Sequence, residues 1–300
     1  MDVSKLRIMN GAGPVKRLDQ VIELARTPVT DITVGSITTE VRTGNIGEVY
    51  YFHPAEHWSV NAWGVPSIGK EAWIKMLPDM VKAAHDGGKR LRASVAIFDI
   101  NEDSGLAADC FACGVDEVEI NIGCGNNWGT DGRQKPIPSY HPELADLILK
   151  KIWERIYPRA VGVKVSPVED REVLTQLAWV LNENVCVSQV VGVNTKINQR
   201  KVKEDGTPAL CFNKVDGKGI ETGGLAGELL RTEGLAFWDY LDLLLSPRIE
   251  RIGVGGINSG SHIVEYVRYK VAGVQIVTDY IQHGAKVFGE RLSEASDLDL

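Results

Sequence analysis

Short apolar runs recur eight times along this chain, with helix-period patterns between them, and that alternation restricts the fold more than any single motif. The runs lie at 6–9, 32–34, 93–98, 117–122, 160–165, 189–193, 250–254 and 273–277. Helical patterns fall at 19–25, 71–85, 106–113, 142–156, 171–182, 233–245 and 261–270. The pattern from Pro142 puts Leu144, Leu147, Ile148, Ile152 and Ile156 on one stripe, as a helix laid against a sheet requires. Strand and helix in strict alternation predict a parallel sheet, and eight repeats in 300 residues predict a single-domain α/β fold, a (β/α)8 TIM barrel over 1–300.

Three connections are too long for simple turns: 38–67, 126–141 and 196–223. All three leave strand C-terminal ends, which assigns them to the face where barrels keep their chemistry. Asp205-Gly206, between Val202 and the segment from Ala209 to Phe212, predicts a hairpin arm on that face. The arm's lysines suit either a solvated surface or a binding role. The acidic segment 293–300 reads as a frayed tail. A formal charge of -7 and a pI near 5.5 disfavour a nucleic-acid backbone binder. No signal-like start and no membrane-length apolar run occur, so a cytoplasmic protein is expected. Five irregularly spaced cysteines make no disulfide framework. Cys110 and Cys113 fall at helical spacing with no second pair, so they read as helix residues and no metal site is expected.

The stretch from Val118 to Asn127 ends an apparent buried strand in Asn121, Cys124, Asn126 and glycines. A free cysteine is more often a small buried hydrophobe than a reactive group, so Cys124 needs support from elsewhere. Late in the chain Gly255-Gly256 ends the seventh strand and Val277-Thr278 ends the eighth, where barrels bind phosphate through backbone N–H groups and a small hydroxyl. Gly223-Gly224 could add amides to the same place. No early GxGxxG opens a helix, which disfavours a dinucleotide fold. Lys164 sits at an apolar strand end, where its ammonium needs either a carboxylate of the barrel or an electron-rich ligand. Each asparagine alone suits a turn. Together Asn61, Asn121, Asn126 and Asn194 bring donors and acceptors to one face, as a flat heterocycle with imide groups would need.

Met9-Asn10-Gly11-Ala12-Gly13, Gly35-Ser36-Ile37-Thr38, Arg42-Thr43-Gly44-Asn45, Asn61-Ala62-Trp63-Gly64-Val65-Pro66, Asn121-Ile122-Gly123-Cys124-Gly125-Asn126, Val163-Lys164-Val165-Ser166-Pro167, Asn194-Thr195, Gly223 to Gly227, Gly255-Gly256-Ile257 and Thr278 occur in one order along nearly the whole chain. That ordered set resembles the dihydroorotate dehydrogenase family. The resemblance implies an FMN-dependent oxidoreductase of pyrimidine biosynthesis that oxidises dihydroorotate to orotate. Cys124 falls on the base of the soluble class, with hydride passing to flavin N5. Asn61, Gly64, Asn121, Asn126, Asn194 and Thr195 fall on the substrate site. Ala12, Gly13, Ser36, Asn121, Lys164, Asn194, Gly224, Gly255, Gly256, Val277 and Thr278 fall on the flavin site. Relatives of this kind are often dimers and pass electrons to fumarate, a quinone, or NAD through a partner.

The chain departs from the family at the charged positions. Gly35 stands where the family has a lysine touching flavin and substrate, the usual Cys-Pro-Asn reads Cys124-Gly125-Asn126, and Ser67 replaces an asparagine. Arg133 or Lys135 in the following loop could restore the charge or be solvated, and a lysine placed at position 35 is expected to strengthen orotate binding. Two alternatives follow from these departures. One is a flavin-dependent reductase or dehydrogenase of another dihydropyrimidine-like or enone ring; the other is a non-catalytic flavin-binding barrel.

Overall fold

The computed structural model describes residues 5–125, 134–215 and 218–298. Eight parallel strands close into a barrel: β1 (Arg7–Asn10), β2 (Asp31–Ile37), β3 (Arg90–Ala96), β4 (Glu117–Asn121), β5 (Val161–Val165), β6 (Val187–Gly192), β7 (Glu250–Val254) and β8 (Gly273–Ile276). β1 closes it by pairing with both β2 and β8. Each strand covers one of the apolar runs read from the sequence. The largest offsets are three residues, at the end of β2 and at the start of β3, where Arg90 and Arg92 interrupt the apolar pattern.

Period-2 alternation explains both faces of the wall. Ile32, Val34, Leu91, Ala93, Val95, Val118, Ile120, Val163 and Val165 point outward into one apolar layer with the helices, which contribute Leu24, Trp73, Leu77, Leu149 and Ile152. Between them Thr33, Arg92, Ser94, Glu119 and Lys164 are buried and point to the axis. Helices Leu18–Ala25, Lys70–Asp86, Leu106–Ala112, Pro142–Ile156, Arg171–Glu183, Glu228–Leu241 and Gly260–Val267 form the outer ring. The sixth of these starts earlier than the expected 233 and runs through Gly234, where a side chain would meet Tyr266 Oη at 2.5 Å. The expected frayed tail is instead part of a helix, Val287–Leu298. Its Val287, Phe288 and Ala295 are buried, and Glu294 accepts a 2.7 Å hydrogen bond from Gly260 N, so packing overrides the acidic composition. Cys110 lies in its expected helix, and burial pushes its thiol up to about 12.

The long connections pair with one another. Tyr50–His53, Trp58–Asn61, Thr222–Gly227 and Lys196–Arg200 form one antiparallel sheet above the barrel mouth. It has its own small core of Trp58, Val60, Leu210, Phe212 and Leu225. The Asp205-Gly206 turn is present, with Gly206 N donating to Lys203 O at 3.0 Å and Val202 bridging Pro208. Three of the arm's cations are matched: Lys196 contacts Glu169 and Glu233, Arg200 contacts Glu221, and Lys203 contacts Glu48.

At the N-terminal end of the barrel, Arg7 reaches Asp31 at 2.5 Å, Glu117 at 2.8 Å and Glu250 at 3.3 Å, while Arg90 and Arg92 also pair with Glu117. Burial pushes the Asp31 carboxyl up, but the hydrogen bond and charge of Arg7 outweigh it and hold the group below the usual carboxylate range. Glu117 is likewise held low, its burial outweighed by Arg92 and Arg7. Depressed carboxyls contribute stability that is complete above about pH 4 and is lost as pH falls through the lower folded values. Arg7→Met leaves buried carboxylates without their cation, so it is expected to cost about 3–5 kcal/mol at neutral pH in urea unfolding. The difference from the parent protein should shrink on acidification below about pH 4; a difference that stays constant down to pH 3 contradicts the assignment.

Candidate active site

A cleft opens where the C-terminal ends of the strands meet the sheet above them. Its floor is set by a polar column inside the barrel. Lys164 on β5, only 5% exposed, donates to Gln275 Oε1 on β8 at 3.1 Å, and Gln275 Nε2 donates to Glu119 on β4 at 2.7 Å. Arg92 lies 3.7 Å from the same carboxylate. Burial pushes the Lys164 ammonium down, and the charge of Glu119 opposes that shift. Lys164 therefore has an anion of the barrel behind it, and it lines the cleft in front.

Asn121 ends β4 and Asn194 follows β6, and the two meet: Asn194 Nδ2 donates to Asn121 Oδ1 at 3.0 Å, which also accepts from Gly123 N at 3.1 Å. Thr195 N donates to Asn194 Oδ1 at 2.8 Å, fixing the second amide in turn. Cys124 lies just beyond, partly exposed in the cleft wall and within electrostatic reach of Lys164 and Arg42. Its loop is tied down on the other side: Ser139 Oγ donates to Ile122 O at 2.9 Å, and Ser166 Oγ donates to Gly123 O at 3.1 Å. A thiol on a clamped loop keeps its position relative to the amides, which proton transfer requires.

The opposite end of the cleft is lined by Gly255, Gly256, Thr278 and Gly227. Gly256 has φ +71, and a Cβ there would meet Arg231 Cβ at 2.5 Å, so the position admits glycine alone. Among the described residues the N–H groups of Gly255 and Gly256 donate to no backbone acceptor, while Thr278 Oγ1 lies 3.2 Å from Ser59 Oγ. Bare amides beside two hydroxyls suit a phosphate. Between the two ends run Ala12, Gly13, Ser36 and Val277. The roof is aromatic: Tyr50 and Trp63 stack at 5.4 Å between centroids, and Tyr50 Oη accepts from Gln282 at 2.6 Å. The dimensions and chemistry fit a flat ring carrying a phosphorylated tail.

A profile of the family described as dihydroorotate dehydrogenase matches residues 5–296. The chain belongs to the dihydroorotate dehydrogenase family. Dihydroorotate dehydrogenase (fumarate) of Lachancea kluyveri is 26% identical over 295 residues, covering 97% of this chain and 88% of that protein. The enzyme of the same name from Saccharomyces cerevisiae is 27% identical over 279 residues, covering 92% and 83%. In fold the chain matches the crystal structure of DHODH from Eimeria tenella in complex with ferulenol, with a TM-score of 0.81 at 17% identity, over 97% of this chain and 80% of the other.

Within this family frame, the structure brings together most of the residues marked in the sequence. Ala12, Gly13, Ser36, Asn61, Asn121, Cys124, Lys164, Asn194, Thr195, Gly255, Gly256, Val277 and Thr278 share one cleft. Asn61 reaches it from the sheet above, where it pairs with Gly224. Gly224 and Gly64 are not on the cleft wall. A side chain at Gly224 would meet Thr195 Oγ1 at 2.2 Å, so the glycine makes room for Thr195, and Ala226 and Gly227 of the same strand line the cleft instead. Gly64 accepts from Arg42 at 3.3 Å behind the wall. Asn126 and Arg133 lie outside the described residues, and Lys135 is exposed away from the cleft.

Sequence reasoning missed Lys16, Tyr50, Phe52 and Gln275, all of which line the cleft. The aromatic pair Tyr50-Tyr51 in a long loop and a lysine following Gly11-Ala12-Gly13 were the available signals. Gly35 also reads differently in three dimensions. It has φ +115, and a Cβ there would lie 2.5 Å from Ser94 O, a backbone atom that cannot step aside. Contrary to the sequence expectation, a lysine at 35 cannot simply be restored. Gly35→Ala and Gly35→Lys are both expected to destabilise, by about 1–3 kcal/mol, without any gain in ligand affinity. Thermal melts of the two variants check this, and an unchanged melting temperature for Gly35→Ala would show that the strand tolerates a side chain.

Proposed function

We propose that this chain is an FMN-dependent dihydroorotate dehydrogenase that oxidises dihydroorotate to orotate in pyrimidine biosynthesis, with Cys124 as the base. The observation that carries the reading is the meeting of Cys124, the Asn121–Asn194 amide pair and buried Lys164 in one cleft of a family member. Asn61, Asn121, Asn194 and Thr195 offer the donors and acceptors that a dihydropyrimidine ring presents at its edges, and we place Asn126 with them on the family pattern. Lys164 would be one of the residues that hold the flavin, and its charge, held in place by Gln275 and Glu119, would stabilise added negative charge there. Ala12, Gly13 and Ser36, small residues of the cleft wall, would hold the flavin ring without crowding it. Gly255, Gly256, Val277 and Thr278 take the phosphate.

Bound FMN supplies the acceptor for the hydride that leaves C6 of the substrate. The chain supplies the proton step: Cys124 Sγ, as thiolate, removes the proton at C5, and the clamped loop from Ile122 to Gly125 keeps the sulfur at the substrate face. The roof of Tyr50 and Trp63 limits water at the ring. Fumarate, named in the relatives, is the acceptor we carry over for reoxidation. Among the described residues no two cysteines form a disulfide, as suits the reducing cytoplasm in which we place the activity, and no helix is long and apolar enough to cross a membrane.

Anaerobic mixing of the flavin-loaded protein with dihydroorotate tests the reading. Absorbance of oxidised flavin should bleach, at a rate that rises with pH, because the thiolate is the active form. Cys124→Ala should slow bleaching by about 10²–10⁴-fold while the protein keeps its flavin. Flavin that is retained but never bleaches with dihydroorotate rejects the function; bleaching that is unaffected in Cys124→Ala rejects the base.

A further inference from the structure

Gly35, one of the chain's departures from its family, lies beside the segment that carries Lys16. Gly35 N donates to Val15 O at 3.1 Å, and Gly13 N donates to Gly35 O at 3.1 Å, so the position that lost a lysine is bonded to the segment leading into Lys16. Lys16 in turn reaches across to the loop that ends in Ser67, with Nζ donating to Pro66 O at 2.5 Å. Its ammonium lines the cleft and is half-buried. Among the described residues it has no carboxylate partner, and its one side-chain hydrogen bond is to a neutral carbonyl. Lys196, Arg200 and Lys203 of the arm, by contrast, are each matched to glutamate.

We propose that Lys16 is the specificity-determining cation of this site, supplying to the substrate carboxylate the charge that Gly35 cannot carry. The inference rests on the function proposed above. Three features of the structure support it. The charge comes from the βα connection directly beside β2, so it enters the cleft next to the strand end that lacks it. Gly35 can hold no side chain, because of its φ of +115 and the Ser94 carbonyl, so a cation in this region has to come from a neighbouring segment. Burial alone pushes the Lys16 ammonium down to about 8, which marks a cation without a counter-charge. A ligand carboxylate in hydrogen-bond reach would provide one, as a charge-assisted contact. Lys135, the candidate read from the sequence, is exposed and does not line the cleft.

The test titrates the full-length, flavin-loaded protein with orotate and with orotamide, whose carboxylate is replaced by a neutral amide, and follows the change in flavin absorbance. Lys16→Met should weaken orotate by about 10–100-fold, leave orotamide within about twofold, and leave the flavin content unchanged. Lys16→Arg should recover most of the orotate affinity. Lys16→Gln repeats the measurement should the Met variant fold poorly. Equal losses for both ligands, no loss for orotate, or release of flavin by the variants would each overturn the assignment. Parent protein that holds flavin but binds no orotate would instead refute the functional reading, and this inference with it.

Discussion

A closed barrel has an inside, and in this chain the inside is charged. The alternation that sends Val118 and Ile120 outward sends Glu119 to the axis, and the same step on β3 and β5 buries Arg92 and Lys164. None of these groups can be left alone in a medium of low dielectric. They are joined across the barrel, Arg92 to Glu119, Glu119 to Gln275, and Gln275 to Lys164, so that the last cation of the column stands at the mouth. Lys164 in the cleft is thus the upper end of a structural network whose lower end is the Arg7, Asp31 and Glu117 cluster. Its charge and its position have one cause, the pairing of charges along the axis.

The other half of the site is built by chain that has no place in the barrel. The first and last long connections pair as one antiparallel sheet, and that sheet carries Asn61, Tyr50 and Gly227 to the cleft from above. Backbone pairing with a separate apolar core gives this roof a defined height over β4 and β6. The two walls differ in what they hold. Lys164, Asn121 and Asn194 are fixed by the barrel's own register, whereas the aromatic roof depends on contacts between segments far apart in sequence.

The barrel strands were legible because apolar side chains on their outer face set a strong local signal at each of the eight positions. The polar inner face was not. Arg90-Leu91-Arg92 and Glu117-Val118-Glu119 have the alternation of a strand with one face in water, and only closure of the sheet puts that face on the axis. The end of the chain misled for a related reason. An acidic composition from Ser293 onward suggests solvent, yet Ala295 is buried against Gly260, which is a matter of packing between distant residues. At the site, strand ends and glycine pairs identified the two extremes of the cleft. Gly224 shows the limit of that method: a glycine pair after a strand is as consistent with a close side-chain neighbour as with a ligand, and Thr195 is that neighbour.

The absence of a lysine at position 35 has to be judged by backbone geometry as well as by residue identity. A substitution that only removed a side chain would leave a strand able to take it back. Here the strand bends through φ +115 at Gly35, with Ser94 O against the missing Cβ, so the local path of β2 has been committed to glycine. The segment bonded to that path, from Gly13 to Val15, carries the chain directly into Lys16. Charge in the cleft and the conformation of β2 are therefore linked through the backbone bonds that join Gly13 and Val15 to Gly35. The position of Cys124 depends instead on the loop after β4, which Ser139 and Ser166 clamp.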